Sequence, residues 1–412
     1  MNKKTIRIIV SIIIVIGLIM LINRLIWNYK VAHAEKIVEL GTNKVLVFES
    51  DARLSQLIKT INGNLDTDPI IDTSKIGKQT IEFKYTTDEG YPVKHQVEIE
   101  VVDVTPPTIF MSKNKTIYTD YDGILSEELF CGDNYDSNPK CTIEGEYDTK
   151  TPGEYELMFI GKDSSGNKMQ NRFTLTVKER PKITTSASTK TTKAAPDKNT
   201  LKLETLKEKY KDSNVEFGID VSHWEGDIDF KKVKKAGVDF VYIRVGRGNG
   251  IGKEYVEDSY FKKNIEGFNK VGIPVGVYFY SNANSIKDAE KEAKWILKKI
   301  KDYKVDLEIV YDWEDWQNFQ EYDLSFHELT ETANAFTKTI DKAGYKGMVY
   351  GSKHYLENIW EELDGEVWLA HYTEQTNYQG KYSVWQICED GHVDGISTQV
   401  DINLRYPNKN KG

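Results

Sequence analysis

The sequence lacks the residue patterns that metal sites and nucleic-acid surfaces need. It has seven histidines and three cysteines, with no HExxH motif and no Cys/His cluster at ligand spacing, so it predicts no metal and no other cofactor. Lys and Arg total 55 against 64 Asp and Glu, and the net charge of −9 argues against a nucleic-acid partner. Ser222 and His223 are adjacent and do not lie on a G-x-S-x-G elbow, which argues against a serine hydrolase.

Cysteine is scarce, and its positions are informative. Cys131 and Cys141 flank the turn-rich segment GDNYDSNPK and can close a small loop, so a disulfide between them is predicted. Cys388 lies alone far downstream and is expected to be buried rather than reactive. A disulfide persists outside the cytoplasm.

A long hydrophobic run occurs near the start of the chain. Basic residues precede an apolar stretch that predicts a transmembrane signal anchor over 8–27, with residues 1–7 as a cytoplasmic tail. The rest of the chain is then extracellular, attached to a bacterial cell membrane by a single pass. The alternative is a signal peptide cleaved after Ala34, but the polar gap between the apolar run and that site favours an uncleaved anchor.

Residues 36–180 contain two copies of one pattern, offset by 76 residues, as from Gly77 to Gly153. Each copy ends in two stretches of alternating apolar residues around a turn, which predicts a small antiparallel sandwich. The copies, 36–104 and 105–180, resemble bacterial immunoglobulin-like modules, most clearly in the turn KDSSGN. Neither copy clusters catalytic residue types, so both are expected to be spacers or weak binding modules.

The next segment predicts a flexible linker over 181–214. From residue 181 to about 200 it is rich in Thr, Ser, Lys and Ala and has no apolar periodicity. Twenty such residues have a root-mean-square span of roughly 25 Å, so the following domain is expected to swing on a tether. The stretch LKLETLKEKY at the end of the segment is expected to form a short helix.

From residue 215 to 407, short β-branched runs alternate with amphipathic stretches, which predicts parallel strands joined by helices, the clearest at 285–301 and 325–342. The predicted strands are 217–221, 239–245, 273–280, 307–313, 347–351, 366–372, 382–387 and 399–403. The closing strands leave no room for helices between them. We therefore expect a modified β/α (TIM-like) barrel without its last helices, with its chemistry at the carboxyl ends of the strands.

Carboxylates recur where these strands end. Asp312 and Glu314 follow an apolar run, and side chains at i and i+2 of a strand share a face, with Cα atoms about 6.5–7 Å apart. Asp220 ends the first strand and Asp401 lies in the last. Carboxylates that converge on one rim raise one another's pKa, which suits a general acid, and such a pair beside aromatic rings is typical of glycoside cleavage. For the pair alone, a charged loop or a cation site is the alternative.

Aromatic and amide side chains accompany the carboxylates and are the predicted substrate contacts. They are Trp224, Tyr278, Tyr280, Trp313, Trp316, Tyr372, Trp385 and Gln386. Tyr278 and Trp385 alternate within apolar strands, so plain core packing is the alternative for these two.

The ordered motifs of residues 215–407 resemble those of the glycoside hydrolase family 25 lysozymes. They are GIDVSHWEGDIDFKKVKKAGVDFVYIRVGRG, YFKKNIEGFNKVGIPVGVYFY, VYDWED, VWLAHY, VWQI and VDGISTQVDIN. Two departures concern subsite preference more than catalysis. The segment after Trp224 is EG where many members have QG, and the second strand ends in VGRG where acidic or Thr-containing versions are common.

The resemblance implies cleavage of the β-1,4 bond between N-acetylmuramic acid and N-acetylglucosamine, so the glycan strands of peptidoglycan are the expected partner. By motif position, the acid/base glutamate is Glu314, its partner aspartate is Asp312, and the flanking aspartates are Asp220 and Asp401. Asp312 is either a nucleophile or a stabiliser of the substrate's 2-acetamido group, and the sequence leaves both open.

The sequence also raises an alternative function and a candidate protein partner. The alternative function is a surface-tethered glycan-binding or adhesion protein whose barrel does not cleave. Loss of Glu314 or Asp312 would favour it, but both are present. An anchored enzyme also suits local opening of the wall for a wall-spanning assembly, which is the predicted protein partner.

Overall fold

The structure is a computed structural model that describes residues 2–41, 44–110, 112–125, 129–180, 201–211 and 213–407. The chain divides into two compact units, Met1–Val104 and Thr105–Gly412. The central part of the predicted linker, 181–200, lies outside the described residues.

The first unit begins with a long apolar helix followed by a small β-module. Its elements are α1 Lys3–Ala32, β1 Val38–Leu40, β2 Val45–Val47, α2 Leu54–Leu57, β3 Ile58–Ile61, β4 Gly63–Leu65, β5 Gly77–Thr87 and β6 Pro92–Val102. Helix α1 contains a window of mean hydropathy 2.9 that is not buried at all, so it is long and apolar enough to cross a membrane. The strands form sheets with the orders β2-β6-β5-β4 and β1-β3.

The second unit begins with a module that repeats this pattern. Its strands are β7 Thr108–Phe110, β8 Asn114–Tyr118, β9 Phe130–Gly132, β10 Lys140–Glu144, β11 Gly153–Lys162 and β12 Lys168–Lys178. The long hairpins β5–β6 and β11–β12 are antiparallel, as the repeat predicts. The edge strands β2 and β8 instead pair in parallel with β6 and β12, so the expectation of a purely antiparallel sandwich is wrong at this edge of each module. Cys131 and Cys141 form the predicted disulfide.

The second module packs directly on the domain that follows. Phe130 of β9 lies against aromatic rings at 316–326, and residues 133–137 form hydrogen bonds to the same region. Leu203 and Leu206, in a helix that we label α3 (Leu203–Lys209), are buried in the core of this next domain. The expectation that this domain swings freely on a tether is therefore wrong, because long-range packing joins it to the module.

The last domain is a closed barrel. Its strands are β13 Glu216–Val221, β14 Phe240–Arg247, β15 Val256–Glu257, β16 Val275–Tyr280, β17 Ile309–Asp312, β18 Gly347–Ser352, β19 Glu366–Ala370, β20 Val384–Gly391 and β21 Val400–Arg405. Its helices are α4 Phe230–Ala236, α5 Phe261–Val271, α6 Ile286–Ile300, α7 Phe326–Lys342 and α8 Lys353–Asn358. The sheet order is β13-β21-β20-β19-β18-β17-β16-β14-β15, and a pairing of β13 with β14 closes the ring. Helix α7 begins at a capping box of Ser325 and Glu328.

Strand β21 departs from the parallel pattern, since it is antiparallel to both of its neighbours, β13 and β20. The connection from Gly391 to Val400 is too short for the crossover that a parallel neighbour requires. As a consequence the beginning of β21, with Asp401, lies at the same rim as the carboxyl ends of the parallel strands.

Alternation along the strands separates two cores. The barrel interior holds a small aromatic cluster that includes Tyr242, Tyr350 and Trp368. A much larger core fills the layer between barrel and helices, with members such as Ile219, Tyr311 and Ile402. Each strand therefore offers every second side chain to the interior and the open rim.

Candidate active site

Four carboxyl groups meet at the rim where the parallel strands end. Asp220 and Asp401 are direct partners across β13 and β21. Asp312 ends β17, and Glu314 follows two residues later. Asp220 and Asp312 are 8 % and 6 % exposed, whereas Glu314 is exposed. The structure thus brings together all four carboxylates that the sequence predicts.

Two amides orient the flanking pair. Gln386 donates to Asp220 Oδ2 at 3.1 Å and to Asp401 Oδ2 at 2.8 Å, and Asn403 donates to Asp220 Oδ2 at 2.8 Å. The Gln386 carbonyl accepts the hydroxyls of Tyr350 and Tyr372, at 2.8 and 3.0 Å. Because both ends of the Gln386 amide are occupied, its NH₂ group can only face the carboxylates.

The flanking pair holds a proton at neutral pH. Burial raises the pKa of Asp220 to about 6, although hydrogen bonds from Asn403 and Gln386 favour its ionised form. Burial and the nearby charge of Asp220 raise the pKa of Asp401 to about 10. Asp401 is therefore the protonated member of the pair, and Asp220 accepts hydrogen bonds from both Gln386 and Asn403.

The pair at the end of β17 is also shifted. Burial, followed by the charge of Glu314, raises the pKa of Asp312 well above its ordinary value. Burial also raises the pKa of Glu314, and the charge of Asp220 adds to the effect. Two hydrogen-bonded carboxyls in one desolvated site retain a shared proton to higher pH than either would alone.

A positive group near the rim, Arg244, was missed by the sequence analysis. Arg244 Nη2 lies 2.8 Å from Asp258 Oδ2, and the same guanidinium contacts the His223 ring. Its charge lowers the pKa of Asp312, against the larger effect of burial. The sequence did indicate this residue, because Arg244 is the charged residue within the apolar run FVYIRV. It is two residues from Tyr242 and so points to the same, inward face of the strand.

The predicted aromatic contacts fall into two groups, and the first lies at the rim. Tyr280 is partly buried, and burial and the charge of Asp312 raise its pKa. Tyr372 is 48 % exposed and Trp224 is 72 % exposed. Tyr278 packs edge to face on Trp368 at 6.2 Å, so it belongs partly to the barrel interior.

The second group is buried in the core between barrel and helices, so for these three residues the prediction of substrate contact is wrong. Trp313 is fully buried in the outer layer. Trp316 is stacked on Tyr355 with ring centroids 4.0 Å apart, and Trp385 is buried with its Nε1 donating to the His371 carbonyl at 2.8 Å. Strand parity explains the error, because Trp313 and Trp385 directly follow or precede the inward residues Asp312 and Gln386 and so point outward.

Comparison with known proteins finds similarity in the barrel domain. Residues 219–396, from β13 to the loop before β21, match the sequence model of the glycosyl hydrolases family 25. The autolytic lysozyme of Clostridium acetobutylicum is 28% identical over 189 residues, which are 45% of this chain and 54% of that protein. Lysozyme M1 of Streptomyces globisporus is 37% identical over 68 residues, which are 16% of this chain and 21% of that protein.

A solved structure of the modular autolysin LytC from Streptococcus pneumoniae, in complex with synthetic peptidoglycan ligand, aligns at 31% identity over 47% of each chain, with a TM-score of 0.41. This chain spans about half the length of the clostridial lysozyme. The family match and the lysozyme relatives support glycoside hydrolase activity of the lysozyme type.

Proposed function

We propose that the protein is a membrane-anchored, extracytoplasmic peptidoglycan hydrolase that cleaves the β-1,4 bond between N-acetylmuramic acid and N-acetylglucosamine. The observation that carries the proposal is the meeting of four carboxyl groups at the rim of a barrel that matches the glycosyl hydrolases family 25. Two carboxyl groups beside a glycosidic bond are sufficient for its hydrolysis.

Glu314 is the proposed general acid and base. Its side chain is exposed at the rim, and burial raises its pKa against the lowering effect of the hydrogen bond to Asp312, which is the direction that a general acid requires. Once it has given up this proton, the Glu314 carboxylate can activate the water that completes hydrolysis.

Asp312 is the proposed partner on the reacting sugar. Its Oδ1 is buried and has no hydrogen-bond partner among the described residues. A buried acceptor without a partner is costly unless a ligand satisfies it. With the shared proton on Glu314, the Asp312 carboxylate suits attack on the anomeric carbon and equally suits acceptance of the N–H of a 2-acetamido group that itself attacks.

Asp220 and Asp401 are proposed to tune this pair and to orient the acetamido group. The charge of Asp220 raises the pKa of both Asp312 and Glu314. Protonated Asp401 adds a hydrogen-bond donor without adding a second charge. The charge of Arg244 lowers the pKa of Asp312 and so offsets part of the effect of Asp220.

The remainder of the chain is proposed to place this chemistry at the wall. Helix α1 would anchor the protein with its N-terminus in the cytoplasm, and the two β-modules would act as immunoglobulin-like spacers. A wall-spanning assembly as partner stays a prediction, and co-purification with the anchored chain tests it.

The decisive experiment compares the full chain, solubilised in detergent, with Glu314→Gln on purified peptidoglycan. Mass spectrometry of the products should find new reducing N-acetylmuramic acid ends from the wild-type protein. The variant should lose roughly 10²–10⁴-fold in rate, because glutamine is of similar size but cannot transfer the proton.

Glu331→Gln is the matched control, since Glu331 is an exposed glutamate on helix α7. It should retain wild-type activity. Wall binding by the wild-type protein without new reducing ends would instead identify a glycan-binding barrel, and full activity of Glu314→Gln would refute the assigned role.

A further inference from the structure

The segment that follows Glu314 determines where its backbone lies. A 3₁₀ segment, Trp316–Tyr322, begins two residues later, and the Trp316 N–H donates to the Glu314 carbonyl at 2.8 Å. The segment is closed on itself, because the Tyr322 hydroxyl donates to Asp315 Oδ2 at 2.8 Å. A shift of this segment would therefore carry Glu314 with it.

The second β-module covers one side of this segment. The Phe130 ring from β9 lies 5.6 Å from Phe319 and 6.3 Å from Trp316, in tilted and edge-to-face arrangements between ring centroids. It also stacks parallel to Phe326, at 6.1 Å. Aromatic pairs at these separations attract one another beyond the effect of area burial alone. Phe130 thus completes the aromatic packing around Trp316 and Phe319.

The same module caps helix α7 of the barrel domain. The Phe326 N–H donates to the Asp133 carbonyl at 2.8 Å, and the His327 N–H donates to the Asn134 carbonyl at 3.2 Å. The Glu328 N–H is satisfied by Ser325 Oγ at 3.1 Å. The first N–H groups of a helix have no acceptor within the helix. Here the second module supplies carbonyl acceptors for two of these groups.

Backbone geometry makes the approach close. A Cβ atom on Gly132 would lie 2.5 Å from Phe326 Cε1 and 3.0 Å from Phe319 Cε1, so no larger residue fits without a shift. Ser137 Oγ donates to Asp323 Oδ1 at 2.9 Å. Asp323 ends the 3₁₀ segment in the left-handed conformation, with φ 51°. The loop that makes these contacts is closed by the Cys131–Cys141 disulfide.

We propose that the second β-module is a positioning element of the active site, and that Phe130 and Gly132 hold the segment behind Glu314 in its working position. The inference rests on the proposed function, since it assigns a role in that reaction. The second module then positions the site in addition to its role as a spacer, which alone would need no such fit to the domain it carries. The working unit is then the module together with the barrel.

The test uses the full chain in detergent with Phe130→Ala, assayed on soluble peptidoglycan fragments. We expect kcat to fall about tenfold or more while KM changes by less than about twofold, because the rim that binds glycan is untouched. Phe130→Leu, which keeps much of the apolar volume, should recover most of the loss. Tyr147→Ala is the matched control, since Tyr147 is 40 % exposed in the same module, and it should behave as wild type.

The shape of the pH profile separates positioning from loss of folded protein. Partial unfolding scales kcat equally at every pH, whereas a displaced and better solvated Glu314 loses its proton at lower pH, so the alkaline limb should move down. Among the described residues, the titratable groups that interact with Glu314 belong to the barrel domain and stay unchanged in the variant. They are Asp220, Asp312, Tyr280, Tyr350 and Tyr355.

Gly132→Ala provides a second perturbation, because the added methyl group meets atoms of the barrel domain. It should reproduce the loss in kcat. Unlike a substitution in the core of the module, it should not lower the melting temperature of the module. Wild-type kcat and pH profile in both Phe130→Ala and Gly132→Ala would overturn the positioning role. An inactive wild-type protein would instead overturn the proposed function, so the two failures are distinguishable.

Discussion

Gln386 shows how a single neutral side chain organises charged neighbours. Its amide NH₂ contacts two carboxyls, and its carbonyl accepts two tyrosine hydroxyls. The tyrosines prevent the amide from turning over, so the carboxyls always meet a donor. A desolvated acidic pair persists because every polar atom around it is matched.

At this scale Asp220 is expected to control the pH range of the reaction. Its negative charge raises the pKa of Glu314, so Asp220→Asn should lower that pKa. The general acid would then lose its proton at a lower pH, and the alkaline limb of kcat should move toward acid. The pH–rate profile on peptidoglycan fragments measures this shift.

Asp401→Asn is the useful comparison. Asp401 is already protonated at neutral pH, because its pKa is about 10, so an amide that can also donate a hydrogen bond should change the profile much less. Equal shifts in both variants would contradict the assignment of charge to Asp220.

Among the elements, helix α6 carries a buried acid that the reaction does not use. Glu292 is 1 % exposed and accepts from Ser281 Oγ at 2.6 Å. Burial raises its pKa to about 8. Between pH 4.5 and about 8, Glu292 is protonated in the folded protein but ionised in the unfolded chain. Because the unfolded state then binds fewer protons, the free energy of unfolding falls as the pH rises through this range.

Glu292→Gln is expected to stabilise the barrel by an amount that grows over this range. At about pH 5 the two proteins should differ little, while at about pH 8 the variant should gain roughly 4 kcal/mol in free energy of unfolding. Urea denaturation at both pH values provides the measurement. Glu290→Gln on the exposed face of the same helix is the control, and an equal gain at both pH values would argue against the titration of Glu292.

At the scale of the whole molecule, helix α1 predicts where the activity is found. With residues 1–34 intact, the protein should sediment with membranes and resist extraction at alkaline pH, since its apolar surface needs a bilayer. Replacement of this segment by a cleavable signal peptide should release full hydrolytic activity into the medium.

Fractionation followed by a peptidoglycan assay distinguishes the cases. Protease added to intact cells freed of wall should remove the barrel from the anchored protein, if residues after the helix are outside. If the protein with its natural N-terminal segment were instead released into the medium, cleavage after Ala34 would be favoured. The proposal of a membrane anchor would then be wrong.

Much of the fold could be predicted from the sequence because helices and strands depend on local patterns of residues. The predicted strands from 217–221 to 399–403 and the helices near 285–301 and 325–342 were found in the structure with small changes at their ends. The Cys131–Cys141 pairing was predictable since the two residues are close along the chain. The four carboxylates followed from their positions at strand ends.

The remainder was decided by contacts between residues far apart in sequence. The Arg244 side chain reaches the site because it lies on the inward face of its strand. The alternation of side chains along a strand places Trp313 and Trp385 on the outward face. Strand β21 is antiparallel because the chain returns without a crossover. The fit of Phe130 onto the segment behind Glu314 depends on shape across two domains, which no periodicity encodes. The sequence by itself determined the elements and the chemistry of the rim, and only tertiary packing decided which side chains share that rim and what holds it in place.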